Sequence, residues 1–151
     1  MTSARPAAVR EAPSRVPGPR RAWVAPAVVG ASVVAGTAVV ALRSPYEGGS
    51  YGRCPSLVLF GVYCPFCGGL RAVHDLAHLD LAGASSMNPL LVLAVPVLVA
   101  LWALWLRSTL RPGRPFTVSS RAAWVTLAVS IAFGVARNLP VLAPWLAPGG
   151  A

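Results

Sequence analysis

Two long apolar runs without a charged residue constrain this chain more than any other feature of its sequence. The first covers residues 22–42 and the second residues 87–106. A helix needs roughly 20 apolar residues to cross the hydrocarbon core of a bilayer, whereas the apolar region of a signal peptide has about 7–15. Asn88 is a favourable N-cap and Pro89 suits the first helical position. We therefore predict two retained transmembrane helices, over about 22–42 and 88–106.

A third apolar run begins at Ala122 and meets Arg137 after 15 uncharged residues. At 1.5 Å per residue this run spans only about 22 Å, so Arg137 lies near the far end of the helix. We predict a third span over about 122–139. The predicted fold is an all-α integral membrane protein with three transmembrane helices.

The composition of the chain also indicates a membrane protein. The hydrophobic fraction is 56% and the charged fraction 11%, whereas soluble domains carry about 25% charged residues. The net charge of +9 comes from 13 basic residues, all of them arginine, and these flank the apolar runs. This placement favours a lipid bilayer over nucleic acid as the partner, with a homo-oligomer or another membrane protein as further candidates. The absence of lysine, with abundant Ala, Gly, Pro and Val, is typical of a GC-rich bacterial genome.

The distribution of arginine predicts the orientation of the chain. Residues 1–21 hold five arginines and the loop 107–121 four, whereas residues 43–86 hold three and the C-terminal end one. The positive-inside rule then places the N-terminus in the cytoplasm of a bacterial plasma membrane and residues 43–86 on its outer face. The first 21 residues lack apolar periodicity and are predicted to be a disordered tail, and residues 22–148 to be a single membrane domain.

The outer segment contains the stretch YCPFCGGLRAVHDLAHLDL, from Tyr63 to Leu81. If residues 67–82 form one helix, five polar side chains fall within an arc of about 100°, next to an apolar stripe. This pattern predicts a short amphipathic interfacial helix after a Cys-rich turn. The five side chains are those of Cys67, Arg71, His74, Asp75 and His78.

Three hypotheses remain open for the cysteines. A metal such as zinc would take Cys54, Cys64 and Cys67 with either His74 or His78 as a fourth ligand. A thiol–disulfide oxidoreductase would use the CPFC pair, because a helix that follows a CxxC lowers the pKa of a thiol. The third hypothesis is a structural disulfide formed on the oxidising face of the membrane.

The function predicted from these residues is that of a non-enzymatic membrane module whose Cys/His/Arg edge holds a metal or a partner. The alternative is a membrane thiol–disulfide oxidoreductase that uses Cys64 and Cys67. The first is favoured because the chain contains neither a second redox pair nor a cofactor motif, although the sequence leaves open whether it is an enzyme.

Ion pairs are expected for the charged side chains of this region. Asp75 is predicted to pair with Arg71 at i, i+4, an interaction of about 0.2–0.5 kcal/mol. Arg137 lies at the same side of the membrane as this segment in the predicted topology. Its expected partner is Asp75 or Asp80, with a lipid phosphate as the alternative.

The order of these residues resembles the signature of a bacterial membrane-protein family catalogued as domain of unknown function 2752. Its members resemble C-P-x-C-G-x-T-R-A, then a short helix, then N-P-L at the start of a transmembrane helix. Leu70 departs from the pattern, where Thr is common, and so does Leu79, where Gly precedes the Asp. The resemblance covers about residues 44–140 and implies a small polytopic membrane protein, with no known reaction, ligand or partner. The matching residues are Cys54, Pro55, Cys64, Pro65, Cys67, Gly68, Arg71, Ala72, Asp80, Asn88, Pro89, Leu90 and 137–140.

Overall fold

The structure is a computed structural model that describes residues 22–47, 51, 54–111 and 116–148. Within these residues the fold is all-helical, which confirms the predicted class. The tail 1–21, expected to be disordered, lies outside the described residues. The helices are α1 (Val24–Leu42), α2 (Pro55–Phe60), α3 (Gly69–Ala77), α4 (Leu81–Met87), α5 (Pro89–Leu110), α6 (Ser120–Ala136) and α7 (Ala143–Leu146).

Two of the three predicted spans are long and apolar enough to cross a membrane, namely α1 with 19 residues and α5 with 22. The third, α6, is apolar but has only 17 residues. At 1.5 Å per residue α6 is about 26 Å long, shorter than a hydrocarbon core of about 30 Å. By length and composition, therefore, two helices and not three meet the requirement for a span.

Helices α1 and α5 pack against each other at a glycine. A Cβ atom at Gly30 would lie 2.7 Å from the ring of Trp102, so only glycine admits the indole in this position. The indole Nε1–H of Trp102 donates to the carbonyl oxygen of Pro26 at 2.9 Å. A small residue such as Gly30 at the contact lets the two helices approach closely.

The prediction of a single helix over residues 67–82 is wrong, because the segment forms two helices. Leu79 has φ 64°, in the left-handed region that a leucine rarely adopts, so α3 cannot continue through this residue. The side chain of Asp80 then accepts a hydrogen bond from the N–H of Gly83 at 2.8 Å and caps α4. The five polar side chains predicted to share one face of a continuous helix therefore do so only within α3, which ends at Ala77.

The buried core is small and lies where α3, α4 and the start of α5 meet. Ala72 and Ala84 are fully buried and Met87 nearly so, and Leu76, Leu91 and Val92 pack around them. Small side chains at the centre let α3 and α4 lie close together. This core fixes α3 and α4 at the end of the molecule where α1 ends and α5 begins.

Candidate metal centre

Three cysteines lie together at this end of the molecule. The Sγ atoms of Cys54 and Cys64 are 3.5 Å apart and those of Cys64 and Cys67 are 3.3 Å apart. All three lie within 4.8 Å of one another. Four-coordinate zinc with Zn–S bonds of about 2.3 Å places its sulfur ligands about 3.8 Å apart. The cluster therefore has nearly the spacing that one tetrahedral ion requires.

Two local features bring these cysteines together. Cys54 directly precedes α2, which begins with Pro55 and ends at Gly61 with φ 65°. A residue with positive φ at the end of a helix reverses the chain, and glycine adopts it without a steric penalty. The reversal returns the chain to Cys64, where the N–H of Cys67 donates to the Cys64 carbonyl at 3.1 Å and closes the CPFC turn.

The three thiols differ in their surroundings. A hydrogen bond between Cys54 Sγ and the hydroxyl of Ser56, at 3.1 Å, lowers the pKa of Cys54 to about 6 because it stabilises the thiolate. Burial raises the pKa of Cys67 to about 12, since a charge is costly away from water. The cluster thus contains one thiol that ionises readily and one that needs a nearby cation to do so.

Arg137 lies behind the CPFC turn and is fully buried. Its Nη1 donates to the carbonyl oxygens of Cys67 at 2.9 Å and Cys64 at 3.3 Å, and its Nη2 donates to that of Met87 at 2.9 Å. Its Nε donates to the carbonyl of Leu146, beyond α7, at 2.7 Å. One guanidinium therefore joins the turn, the end of α4 and the C-terminal segment.

Two asparagines hold the same turn from other directions. Asn88 is 1% exposed, and its Nδ2 donates to the carbonyls of Pro65 at 3.0 Å and Cys67 at 3.3 Å, while its Oδ1 accepts from the N–H of Leu91. Asn138 accepts from the N–H of Tyr63 at 2.9 Å and donates to the carbonyl of Tyr63 at 2.8 Å. Asn88 thus caps α5, as the sequence predicts, and also fixes the turn.

Gly68 permits the close approach of the turn to α4. It has φ 77°, and a Cβ at this position would lie 2.6 Å from the carbonyl oxygen of Met87. The same carbonyl accepts from Arg137. Glycine at position 68 therefore permits the positive φ of the turn and also the close contact with Met87, whose carbonyl binds Arg137.

The predicted histidine ligands lie outside the cysteine cluster. His74 is half-buried, and its Nδ1 is 2.8 Å from the carbonyl of Val40. His78 is exposed, and its Nδ1 is 2.8 Å from the carbonyl of His74. Among the described residues, the group spaced to hold a metal contains the three cysteines alone.

The ion pairs expected for the charged side chains are replaced by other contacts. Asp75 is buried and accepts from the hydroxyl of Tyr46 at 2.6 Å, and Asp80 caps α4. Arg71 lies 5.2 Å from the centre of the Tyr46 ring, in a cation–π contact. Arg137 contacts carbonyl oxygens instead of a carboxylate.

One of the residues that were missed has a signal in the sequence. Asn138 belongs to the segment 137–140 that resembles the family signature, although no role was predicted for it. Tyr46 carried no signal, because its partner Asp75 lies 29 residues further along the chain. Ser56 contacts Cys54, only two residues before it, and no role was predicted for it.

The comparisons with known proteins agree with this part of the chain. Residues 54–102 match the model of the family described as Protein of unknown function (DUF2752). The resemblance predicted from the sequence is thereby confirmed over this range. The DUF2752 match contains all three cysteines, α3, α4 and most of α5, while Arg137 lies outside it. No curated protein and no solved structure matches the chain.

Proposed function

We propose that this chain is a small membrane protein, with the shorter α6 as a third span beside α1 and α5. In it Cys54, Cys64 and Cys67 bind one divalent metal ion, zinc above all, in a non-enzymatic role. The observation that supports this is the mutual spacing of the three Sγ atoms, all within 4.8 Å. Thiolate ligands in a tetrahedral arrangement select zinc among the common divalent ions. The bound metal would tie α2 to the CPFC turn and so stabilise the end of the molecule.

The charge of Arg137 supports a metal over a disulfide. A buried guanidinium is costly unless an opposite charge lies near it, and no carboxylate contacts it among the described residues. Three thiolates and one divalent ion carry a net charge of −1, which would balance Arg137. A disulfide is neutral and would leave the guanidinium with carbonyl dipoles alone.

The surfaces of the long helices support placement in a membrane. In α5 no residue is buried, and in α1 only Pro26 and Val40 are. Large side chains on different sides of these helices are exposed, for example Val34 at 70% and Leu93 at 71%. A core helix of a soluble protein would be mostly buried, so lipid is the medium that fits these surfaces. The arginine distribution then places the cysteines on the outer face of a bacterial plasma membrane.

A second function is favoured by the shared position of Cys64. Its Sγ lies close to both Cys54 and Cys67, so it can pair with either of them. Thiol–disulfide exchange proceeds by attack of a thiolate on a disulfide sulfur, and this spacing allows a disulfide of Cys64 to pass from one neighbour to the other.

Metal content and thiol state distinguish the two functions. The full chain would be purified in detergent under reducing conditions, its zinc measured by elemental mass spectrometry, and its thiols counted by alkylation with and without a chelator. We expect about one zinc per chain, three thiols protected until the chelator is added, and loss of zinc in C54S, C64S and C67S. Cobalt substitution should give the sulfur-to-metal charge-transfer absorption typical of thiolate ligands.

Variants of residues outside the cluster are the controls. His74→Asn and His78→Asn should retain zinc, because these rings contact backbone carbonyls. Chains without zinc whose thiols react at once would overturn the proposal. After purification without reductant, a mass 2 Da below that of the reduced chain, from a disulfide of Cys64, would instead support the oxidoreductase.

The proposed orientation has its own test. The three native cysteines would first be replaced, and Ser86→Cys would then supply a single thiol at this end of the molecule. A membrane-impermeant thiol reagent should modify this thiol in intact cells. Labelling only after lysis would show that this end of the molecule faces the cytoplasm.

A further inference from the structure

A cavity of about 470 Å³ lies directly beside the cysteine cluster. Cys54 and Cys67 form part of its wall, together with Arg71, Tyr63 and Gly68. Its volume is in the range of small-molecule pockets, roughly 300–1,000 Å³. Two of the three cysteines are thus accessible from a space that a small ligand can enter.

The cavity wall carries positive charge and no carboxylate among the described residues that line it. Arg71 is exposed, and the described acidic groups near it have other partners: Asp75 accepts from Tyr46, and Asp80 caps α4. The ring of Tyr46 holds the guanidinium in place from one side, which leaves its N–H groups available to a ligand. Arginine binds phosphate and carboxylate with two parallel hydrogen bonds.

The start of α3 adds to the positive potential. Gly68 and Leu70 line the cavity, and α3 begins at Gly69 without a side-chain cap. The N-terminal end of a helix carries a partial positive charge of about half a unit. This contribution has the same sign as that of Arg71.

A zinc ion held by the three cysteines would need one further ligand. Zinc takes four ligands, the cluster supplies three, and the histidines lie elsewhere. With three thiolates and a divalent ion the centre carries −1, and a monoanionic fourth ligand brings it to −2. Arg137 behind the turn and Arg71 in the cavity together supply +2.

We infer that the cavity binds a phosphodiester group, with one oxygen on the metal held by the three cysteines and another on Arg71. This inference rests on the proposed function. A phosphodiester carries one negative charge, as the charge balance requires, and has two terminal oxygens for two cations. Tyr63, a residue type whose hydroxyl donates hydrogen bonds, also lines the cavity. The group can come from a lipid head group at the membrane surface or from a soluble molecule.

Cobalt-substituted protein reports on the fourth ligand, because the visible absorption of Co²⁺ changes when a ligand is exchanged. One arm would titrate the full chain in a phosphate-free detergent with dimethyl phosphate, a soluble phosphodiester. The other would place the chain in nanodiscs with and without phosphatidylglycerol in a matrix of phosphate-free lipid. We expect a spectral change in at least one arm, and the arm that responds at lower concentration identifies the source.

Arg71→Gln is the decisive variant. It should keep its metal but bind the phosphodiester at least tenfold more weakly, since it loses the charge-assisted hydrogen bonds to the anion. Arg107→Gln, near the opposite end of α5, is the matched control and should bind as the unchanged chain does.

The outcomes separate this inference from the proposed function. A chain that binds cobalt through its cysteines, yet shows no spectral change in either arm, overturns the inference alone. Equal affinity of Arg71→Gln and the unchanged chain also overturns it. A chain that takes up no metal overturns both.

Discussion

Arg137 donates from Nη1 to the carbonyl oxygen of Cys67 at 2.9 Å, across 70 residues of sequence. The hydrogen bond joins the end of α6 to the turn that holds two of the three cysteines. A charge in this position is stabilised by three segments of backbone at once, so the geometry of the turn depends on a residue far from it. The first prediction concerns this dependence.

Replacing Arg137 with Gln should lower the free energy of unfolding by about 3–5 kcal/mol, because buried carbonyls of the turn and of Met87 lose their donors. Arg137→Lys keeps the charge but not the planar fork, so it should recover only part of that loss. Thermal unfolding in detergent and zinc content would be measured together. Arg121→Gln, at the exposed start of α6, is the control, and an equal loss in both variants would contradict the assignment.

Gly68 and Gly69 are adjacent glycines with different predicted tolerance. Gly68→Ala should destabilise the fold by about 2 kcal/mol or more, since a side chain is strained at φ 77° and the Cβ would meet the Met87 carbonyl at 2.6 Å. At Gly69 no atom lies within 4 Å of such a Cβ, so Gly69→Ala should be neutral or slightly stabilising. Chemical denaturation of both variants checks this, and a similar midpoint for the two would refute it.

Asn88 should be more sensitive to substitution than an ordinary helix cap. Asn88→Ala removes the cap of α5 and also two donors to the CPFC turn, for a cost of about 2–4 kcal/mol. Ser119→Ala removes only the cap of α6 and should cost about 1 kcal/mol. Zinc affinity should fall in the first variant and stay unchanged in the second; parallel behaviour would show that Asn88 acts as a cap alone.

The hydrogen bond between Tyr46 and Asp75 makes a prediction about pH. Burial, with the hydrogen bond to Asp75, raises the pKa of Tyr46 to about 12. Because the folded chain holds this proton more tightly than the unfolded chain, the contribution to stability is complete below about pH 10 and is lost as the pH rises through 12. When the tyrosine hydroxyls are titrated by phenolate absorption, the component with a pKa near 12 should be absent from Tyr46→Phe.

The same variant should lose about 1 kcal/mol of stability at neutral pH, because the buried carboxylate of Asp75 loses its donor. Tyr51→Phe is the control, since the Tyr51 hydroxyl makes only an exposed contact at 3.3 Å to the carbonyl of Arg43. An unchanged titration in Tyr46→Phe would show that another tyrosine accounts for the late component.

Features that depend on local sequence were predictable. The apolar runs gave α1 and α5 to within a few residues, and Asn88 and Pro89 marked the start of α5, because capping is a property of adjacent residues. The cysteine set was also predicted as a group, since CxxC and one further thiol in a short segment favour a common site.

Features that depend on the packed fold were not predictable in this way. The periodicity of residues 67–82 is compatible with one helix, and nothing local shows that Leu79 adopts a left-handed conformation. The pairing of Asp75 with Tyr46 and of Arg137 with backbone carbonyls requires the relative position of α1, α3 and α6. Charged residues in a sequence suggest ion pairs, whereas every residue has a backbone carbonyl, so the sequence does not indicate which carbonyls will be buried beside Arg137.

The position of Arg137 has a consequence for biosynthesis. A ribosome makes the cysteines, α3 and α4 long before it reaches residue 137, and the carbonyl of Leu146 that receives the guanidinium Nε comes later still. Until then the CPFC turn lacks the cation behind it. Nascent chains interrupted before this point should therefore leave their thiols open to oxidation and to cellular quality control, whereas chains extended beyond Leu146 would close the turn.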